Sequence, residues 1–588
     1  MNNHQPDLCI GVDFGTTYTG VAWSTPKEEN NKTNIIKQWP GETEDEEKGP
    51  NCPGERYEWR EDKKWKLLKL LLVPETHEMR SANNGHGPSV PGTMHEVHKL
   101  VTLYLSQIYA HISNEIPELI KTNDDFSEQL KLKTWDSLAI DFIFSTPTLW
   151  GAPISHCFKD IISKAGFGEH KLHKVALGLT EPEAAAVFTC QPEVVGKVHK
   201  GHVVLSIDAG GGTTDLAFIK ATANTADSFT LAEIHPVGGT DVGSTRIDSE
   251  FAKLVKDRIK EYPEAQSELP RDFPTRASQS DDFQSCKHKL GSKLWDRSTD
   301  DFAIEVTGLE KSYTNRDLGI KQGELFFTRQ QLESCFDITL NHIKGLIKRA
   351  VDQFEDNNGR TGTLWHVDHI ILSGGLGSSD YVLKELTTYF RDLSKGANSC
   401  VAGSRVLRTN GNARTVVVEG LLYDRRTKAH ALREHIVRAN YGIIVEETRP
   451  KWPALSRNVN PANTTTDAPD RIRWLVKFGE TVQVGKPITV EITKPLEKSD
   501  QRKWTEKIVW LGGECPCLPA NMKKGLKEGM EVLRSVDIEV RKGTKLSSRR
   551  TFMGTTAYHE CNFKLILSVG PSGDCDVEVS ENVIKLSG

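Results

Sequence analysis

The chain lacks any uninterrupted apolar run of the roughly eighteen residues that a membrane-spanning helix requires. Leu67–Val73 is apolar but far too short, so no membrane partner is expected. A disulfide framework is missing too. The eleven cysteines are scattered and odd in number, which argues against a stapled secreted scaffold and for free thiols in a reducing compartment, the cytoplasm, with the nucleus left open. Cys515-Pro516-Cys517, with Cys561 and Cys575 further on, has no second paired motif of the kind zinc sites use, so structural thiols are expected there. The first strand pattern starts near Leu8 and leaves no room for a secretory leader. No basic stripe stands out and the net charge is -5, so nucleic acid is not an expected partner. A hydrophobic content of 37% and a charged content of 26% suit an ordinary globular protein, and 588 residues are too many for one core.

What is present is a repeated phrase. Leu8–Gly20 reads L-C-I-G-V-D-F-G-T-T-Y-T-G, and Val203–Ala217 reads V-V-L-S-I-D-A-G-G-G-T-T-D-L-A. Each is an apolar run, an Asp, glycines and a Thr pair, which predicts two strand-turn-strand units and an internally duplicated chain. Between and after them strands alternate with helical patterns. A strand is expected at Ala139–Phe144, closed by Ser145-Thr146-Pro147, then a helix around Ile154–Ala165 and a strand at Val175–Leu179. Thr180-Glu181-Pro182-Glu183 then leads into an alanine-rich helix. Helical patterning is also read over Trp65–Leu72 and His95–Ile120, and across most of 250–346 apart from a polar stretch at 262–282. Phe336–Phe354 reads as a long amphipathic helix, and Asp368–Leu372 as a strand stopped by Ser373-Gly374-Gly375-Leu376-Gly377. Residues 26–64, with the acidic run Glu42–Glu47, read as a surface insertion. After about residue 430 the texture becomes short strand-like runs separated by turns, an all-β module interrupted or edged by the loop Pro450–Pro469.

Glycine lets the backbone approach an anion and turn its amides toward it. Gly15-Thr16-Thr17 and Gly210-Gly211-Gly212-Thr213-Thr214 both fit a phosphate turn, with threonine hydroxyls as further donors. Asp13 and Asp208 stand where a hydrated Mg²⁺ needs negative charge, facing it from opposite walls through water. Asp215 and Glu181 are additional carboxylates for outer contacts or for activating water. Each turn alone is more often structural than functional. Two of them, with the third glycine site at Ser373–Gly377, point together to a nucleotide.

On these motifs, over about residues 8–430, the chain resembles the actin, sugar-kinase and heat-shock ATPase superfamily, and within it the seventy-kilodalton heat-shock (DnaK-type) family. G-V-D-F-G-T-T-Y, I-D-A-G-G-G-T-T-D, T-E-P-E-A-A-A at Thr180–Ala186, Pro147 and the glycine segment at 370–377 carry the likeness. The resemblance implies an α/β, two-lobed actin-like ATPase built on duplicated ribonuclease-H-like sheets with helices on both faces. Lobe I would span 1–200 and lobe II 201–430, returning to lobe I near its end; a β-rich domain over 431–588 would resemble a truncated substrate-binding domain. ATP or ADP with Mg²⁺ would lie between the lobes, and lobe closure would respond to it. Gly15, Thr16, Thr17 and Tyr18 would line one phosphate wall and Gly210–Thr213 the other, with Gly239 nearby. Gly374, Gly375 and Lys287 would flank the adenosine. Unfolded client proteins and co-chaperones are the implied partners.

The departures from that family matter equally. Gln284, His288 and Gly291 stand where Glu, Arg and Ser usually surround adenosine; Leu376, Ser378 and Arg414 differ as well, so base recognition is rebuilt or looser. The family's catalytic lysine has no clean counterpart: Lys66 and Lys69 are the candidates, and a lysine on a helix surface is the ordinary alternative. No acidic-leucine linker, helical lid or acidic terminal tetrapeptide is seen, as in the divergent branch found in fungi. Three functions stay open: a slowly hydrolysing chaperone-like ATPase (a hydrolase), a nucleotide-binding scaffold without turnover, and a small-molecule kinase of the same superfamily.

Overall fold

The computed structural model describes residues 5–28, 31–40, 49–50, 67–82, 90–191, 194, 198–225, 228–236, 238–293, 301–362, 364–395, 399–408, 413–426, 430–445, 471–496, 502–544, 546–550 and 557–586. The run Glu42–Glu47, Lys66 and the loop Pro450–Pro469 lie outside these residues. The chain is mixed α/β with several sheets and divides into two compact units, Met1–Leu149 with Phe158–Leu432, and Trp150–Cys157 with Arg433–Gly588. Among the described residues no helix is long and apolar enough to cross a membrane.

The first unit contains two sheets built the same way. Leu8–Phe14 and Val203–Ala209 are buried at every position, as central strands covered on both faces must be. Each turns back on itself as an antiparallel hairpin, Leu8–Phe14 with Tyr18–Ser24 and Val203–Ala209 with Thr214–Thr225. On its other edge each central strand gains a parallel neighbour, Ile140–Thr146 in the first sheet and Val367–Ser373 in the second. A further parallel strand follows, His173–Thr180 and Arg405–Arg408 respectively. Even the small additions correspond: Gly49–Pro50 pairs with the start of Tyr18–Ser24, and Gly239–Thr240 with the start of Thr214–Thr225.

Parallel neighbours need long crossovers, and helices supply them. Met94–Thr122 opens with a capping box in which the Glu96 amide donates to Thr93 Oγ1 and the Thr93 amide to Glu96 Oε2, both at 3.2 Å. It buries Val97, Val101, Tyr104, Leu105, Ile108, Ile112, Ile116 and Ile120, the helical period read from the sequence. Arg329–Thr361 serves the second sheet, capped by Thr328 and Gln331 and closed by Gly362 at φ 68°. Its Phe354 ring stacks on Phe218 of the sheet, centroids 4.2 Å apart.

One further helix follows the outer parallel strand of each sheet, Glu181–Thr189 after His173–Thr180 and Val416–Arg426 after Arg405–Arg408. These two helices pack on each other, and Ala184, Ala185 and Ala186 are fully buried at the crossing. The approach is so close that a Cβ on Gly420 would fall on the Ala184 carbonyl.

The second unit is two antiparallel sheets over one core. Tyr441, Ile508, Val536 and Ile538 of one sheet meet Val490, Phe563, Leu565 and Leu567 of the other. The strands expected from Arg473, Ile488, Ile508, Ser535, Phe563 and Val577 onward are all there, and Ala439–Val445, not expected, is the central partner of two of them. Cys515 is half-buried, Cys517 exposed, and Cys561 and Cys575 buried, and each described cysteine is a free thiol.

Three readings need correction. The stretch 250–346 is not helical throughout: Asp301–Glu305, Ile320–Lys321 and Glu324–Thr328 form a small antiparallel sheet. Alternation in D-F-A-I-E and E-L-F-F-T, with Phe302, Ile304, Leu325 and Phe327 turned inward, is a strand signal that the flanking helices masked. The long helix starts at Arg329, where the capping box sets it, and not at Phe336. Within the supposed surface insertion, Ile36 and Trp39 are buried at 1% and 5% exposure, because Asn34–Ile35 adds to the edge of the first sheet.

Two outcomes follow from the packing. Gly420→Ala gains about 1 kcal/mol of helix propensity but loses about 3 kcal/mol by overpacking against a carbonyl that cannot rotate away. Net destabilisation in urea unfolding is the expected result. Asp7, 5% exposed, accepts from the Ala139 amide at 2.8 Å, from Lys133 at 2.7 Å and from Lys27 at 2.8 Å. Burial alone would raise its pKa, but these three partners hold it down at about 2. Its stabilising effect is therefore present above the ordinary carboxylate value and lost as pH falls toward 2. Because both lysines are more than a third exposed, solvent screening leaves about 1 kcal/mol. Asp7→Asn should lose that amount at pH 7, and the difference from the unaltered chain should vanish near pH 2 in denaturation curves.

Candidate functional site

The two hairpin turns are tight for local reasons. The Gly15 amide donates to the carbonyls of Asp13 and Tyr18, both at 3.1 Å, and the Gly210 amide donates to the Thr213 carbonyl at 2.9 Å. The second turn is also fixed from behind. Ser244 and Thr245, at the start of the helix Ser244–Lys260, donate their amides to the carbonyls of Gly210 and Gly211 at 3.1 and 2.9 Å.

The turns meet. A Cβ on Gly211 would lie 2.5 Å from Thr17 Oγ1, and one on Gly212 would lie 2.5 Å from Thr16 Cγ2. Only glycine allows the second turn to come this near the threonines of the first. Thr16 and Thr213 are buried, Thr17 is half-buried, and Tyr18 stands exposed at the edge. Thr214 turns its hydroxyl away, donating to the Val242 carbonyl at 2.8 Å.

Four buried carboxylates accompany the turns. Asp13 and Asp208 end the central strands, Asp215 begins the return strand, and Glu181 opens the helix that follows the first sheet. Glu183 carries out the capping there, accepting from the Thr180 amide at 2.8 Å, and Glu181 is turned inward. Lys69 lies among them. It sits on a single helical turn, Leu68–Leu71, entered through Leu67 in the left-handed region at φ 65°. It is 2% exposed and ion-pairs with Glu181. The ordinary alternative, a surface lysine, is overturned, while Lys66 lies outside the described residues.

The electrostatics follow from this crowding. Burial would lower the Lys69 pKa, but Glu181, Asp13 and Asp215 outweigh it, so the ammonium stays charged. Burial raises Glu181; Lys69 pulls it back, Asp13, Asp215 and Asp208 push it further, and it settles at about 8. Asp215 is raised by burial as well, against the pull of Lys69, the Thr148 amide and Thr213. Lys69 thus acts on three of these acids, Glu181, Asp13 and Asp215. The donors are all oxygens and the surplus charge is negative, which suits a hard cation such as Mg²⁺. Among the described residues no three His, Cys, Asp or Glu side chains converge enough to hold an ion directly, so a fit exists only through an ion's own water shell.

The remaining expected residues divide. Gly374, at φ 81°, lies against Ala209 and Asp208, while a Cβ on Gly375 would meet nothing within 4 Å. Gly239 accommodates Asp215: a Cβ there would be 2.6 Å from its Oδ1. Lys287 is drawn to Asp248 at 2.6 Å, and Gln284 to the same oxygen at 3.2 Å. His288 is lowered by burial and by Lys287 and Arg414, so this side of the site is basic. Sequence reasoning did not reach Asp248 or Thr148, and it met Ser145 only as the close of a strand and Ser373 only as the first residue of the third glycine site, without a role for either hydroxyl. Thr148 donates its amide to Asp215 Oδ1 at 2.8 Å, Ser145 its hydroxyl to Asp13 Oδ1 at 3.1 Å, and Ser373 its hydroxyl to Asp208 Oδ1 at 2.7 Å. The register of the duplicated sheets could have found the two serines.

No family model matches the chain, and no curated protein matches it in sequence.

With its pKa near 8 in the folded chain and the ordinary 4.5 when unfolded, Glu181 takes up a proton on folding between those values. Its contribution to stability therefore falls as pH rises through that window. Relative to Glu181→Gln, the unaltered chain should lose stability from pH 5 to pH 8 in urea titrations; parallel curves would contradict the assignment.

Proposed function

We propose that the chain binds ATP with Mg²⁺ between its two glycine-threonine turns and hydrolyses it slowly, as a chaperone-like protein whose lobe closure responds to the nucleotide. On this reading the first unit is a two-lobed actin-like ATPase akin to the seventy-kilodalton heat-shock proteins, and the second unit is its β-rich responder. The observation that carries the reading is the meeting of Thr16 and Thr17 with Gly212 and Gly211 above a buried Lys69. Amides and hydroxyls on the turns supply donors for phosphate oxygens. Asp13 and Asp208 would hold the hydrated Mg²⁺, which when bound neutralises phosphate charge and orients water. Lys69 places a fixed positive charge where negative charge grows during phosphoryl transfer, a contribution that is large in a dry site. Asp215, held by the Thr148 amide, would accept a proton from the attacking water, while Glu181, its pKa raised by burial, would keep its own proton near neutral pH.

A second reading, nucleotide binding without turnover, is favoured by the base side. Lys287 and Gln284 are both engaged with Asp248, which weakens the adenosine contacts the family makes.

Calorimetry with Mg-ATP beside a phosphate-release assay separates the two readings: heat without phosphate selects the second, and no heat rejects both. If the first holds, Lys69→Ala should lower kcat by about 10²–10³ while changing nucleotide Kd far less. Asp13→Asn and Asp208→Asn should each remove the Mg²⁺ dependence of binding.

A further inference from the structure

We propose that Ser145 and Ser373 are positioning residues, one in each half of the duplication, that aim the two hairpin carboxylates at a hydrated divalent cation. The inference rests on the nucleotide reading and adds to it the groups that orient its acids.

Ser145 and Ser373 are 2% and 0% exposed, and they are the penultimate and last residues of strands lying parallel to a hairpin's central strand. Ser373 pairs in register with Asp208, and Phe144, one residue before Ser145, pairs with Val12, one before Asp13. The two halves differ at most positions, I-D-F-I-F-S-T against V-D-H-I-I-L-S, yet both set a serine beside the aspartate. Fully buried strand positions ordinarily favour β-branched or aromatic side chains. An ionised carboxylate can only accept, so the serine donates its single hydrogen. Ser373 Oγ lies 2.7 Å from Asp208 Oδ1 and 3.4 Å from the Ile207 carbonyl, and the shorter, charge-assisted contact takes that hydrogen. Ser145 Oγ lies 3.1 Å from Asp13 Oδ1. Each bond occupies one carboxylate oxygen and adds a restraint on rotation about the Cβ–Cγ bond. Gly374 keeps the space clear, since a Cβ there would come within 3.0 Å of Asp208 Oδ1. The hydroxyls hold the acids, and the acids would hold the water shell of the ion when it binds.

The test is a MgCl₂ titration of ATP binding by the full chain, followed calorimetrically, with ATP in EDTA as the reference. In Ser145→Ala and Ser373→Ala the Mg²⁺ concentration at half-effect should rise about tenfold or more, the usual consequence of removing a group that orients a metal-binding carboxylate. Binding in EDTA should be unchanged, which a general structural role would not give. Ser373→Thr, which keeps the hydroxyl, should restore the midpoint. Should an alanine variant fail to fold, Ser145→Cys and Ser373→Cys keep the volume with a much weaker donor and carry the same expectation. A midpoint unmoved in the variants, with binding by the unaltered chain intact, overturns the inference and leaves the nucleotide reading standing. Absence of any Mg²⁺-dependent binding by the unaltered chain is a different result and overturns the nucleotide reading itself.

Discussion

The site is organised by a buried ammonium, Lys69, answering the buried acids Glu181, Asp13 and Asp215. Removing a charge from water is costly unless a partner compensates it, so Lys69 can be buried only because Glu181, Asp13 and Asp215 surround it. Burial raises both Glu181 and Asp215, and the pull of Lys69 offsets it only in part. A cluster held this way is electrically incomplete. The same imbalance that makes it a poor stabilising element is what the proposed binding of a hydrated cation would relieve.

That cluster exists because the fold is doubled. Each half delivers an aspartate at the end of a buried strand, with a glycine turn beyond it and a serine on the parallel neighbour. The halves are brought face to face by the helices Glu181–Thr189 and Val416–Arg426, whose close crossing depends on Ala184 and Gly420. Small residues at that crossing and glycines in the second turn thus serve one end: they set how near the two walls can come.

The hairpins and their acids were legible in the sequence because a strand-Asp-Gly-Thr phrase specifies a local structure, and repeating it far downstream implies a pair. The β texture after residue 430 was legible for the same reason, since its strands are separated by turn residues. Lys69 was legible only as one of two candidates: nothing local in W-K-L-L-K-L-L-L says that Lys69 is buried, which its pairing with Glu181, distant in the chain, accounts for. Asp248 was hidden likewise, because its pairing with Lys287 spans two helices that nothing local relates. The sheet over 301–328 was lost to its neighbours, being two short alternating runs between strong helical signals.

The attachment of the second turn to the helix Ser244–Lys260 has a mechanical consequence. Its first amides are bonded to Gly210 and Gly211, so turn and helix move as one piece. Seventeen residues make a rod about 25 Å long, pivoting at the end that touches the turn. By geometry alone, a small tilt at Gly210 would be multiplied along the rod into a larger displacement at Lys260, a lever whose short arm is the second glycine turn.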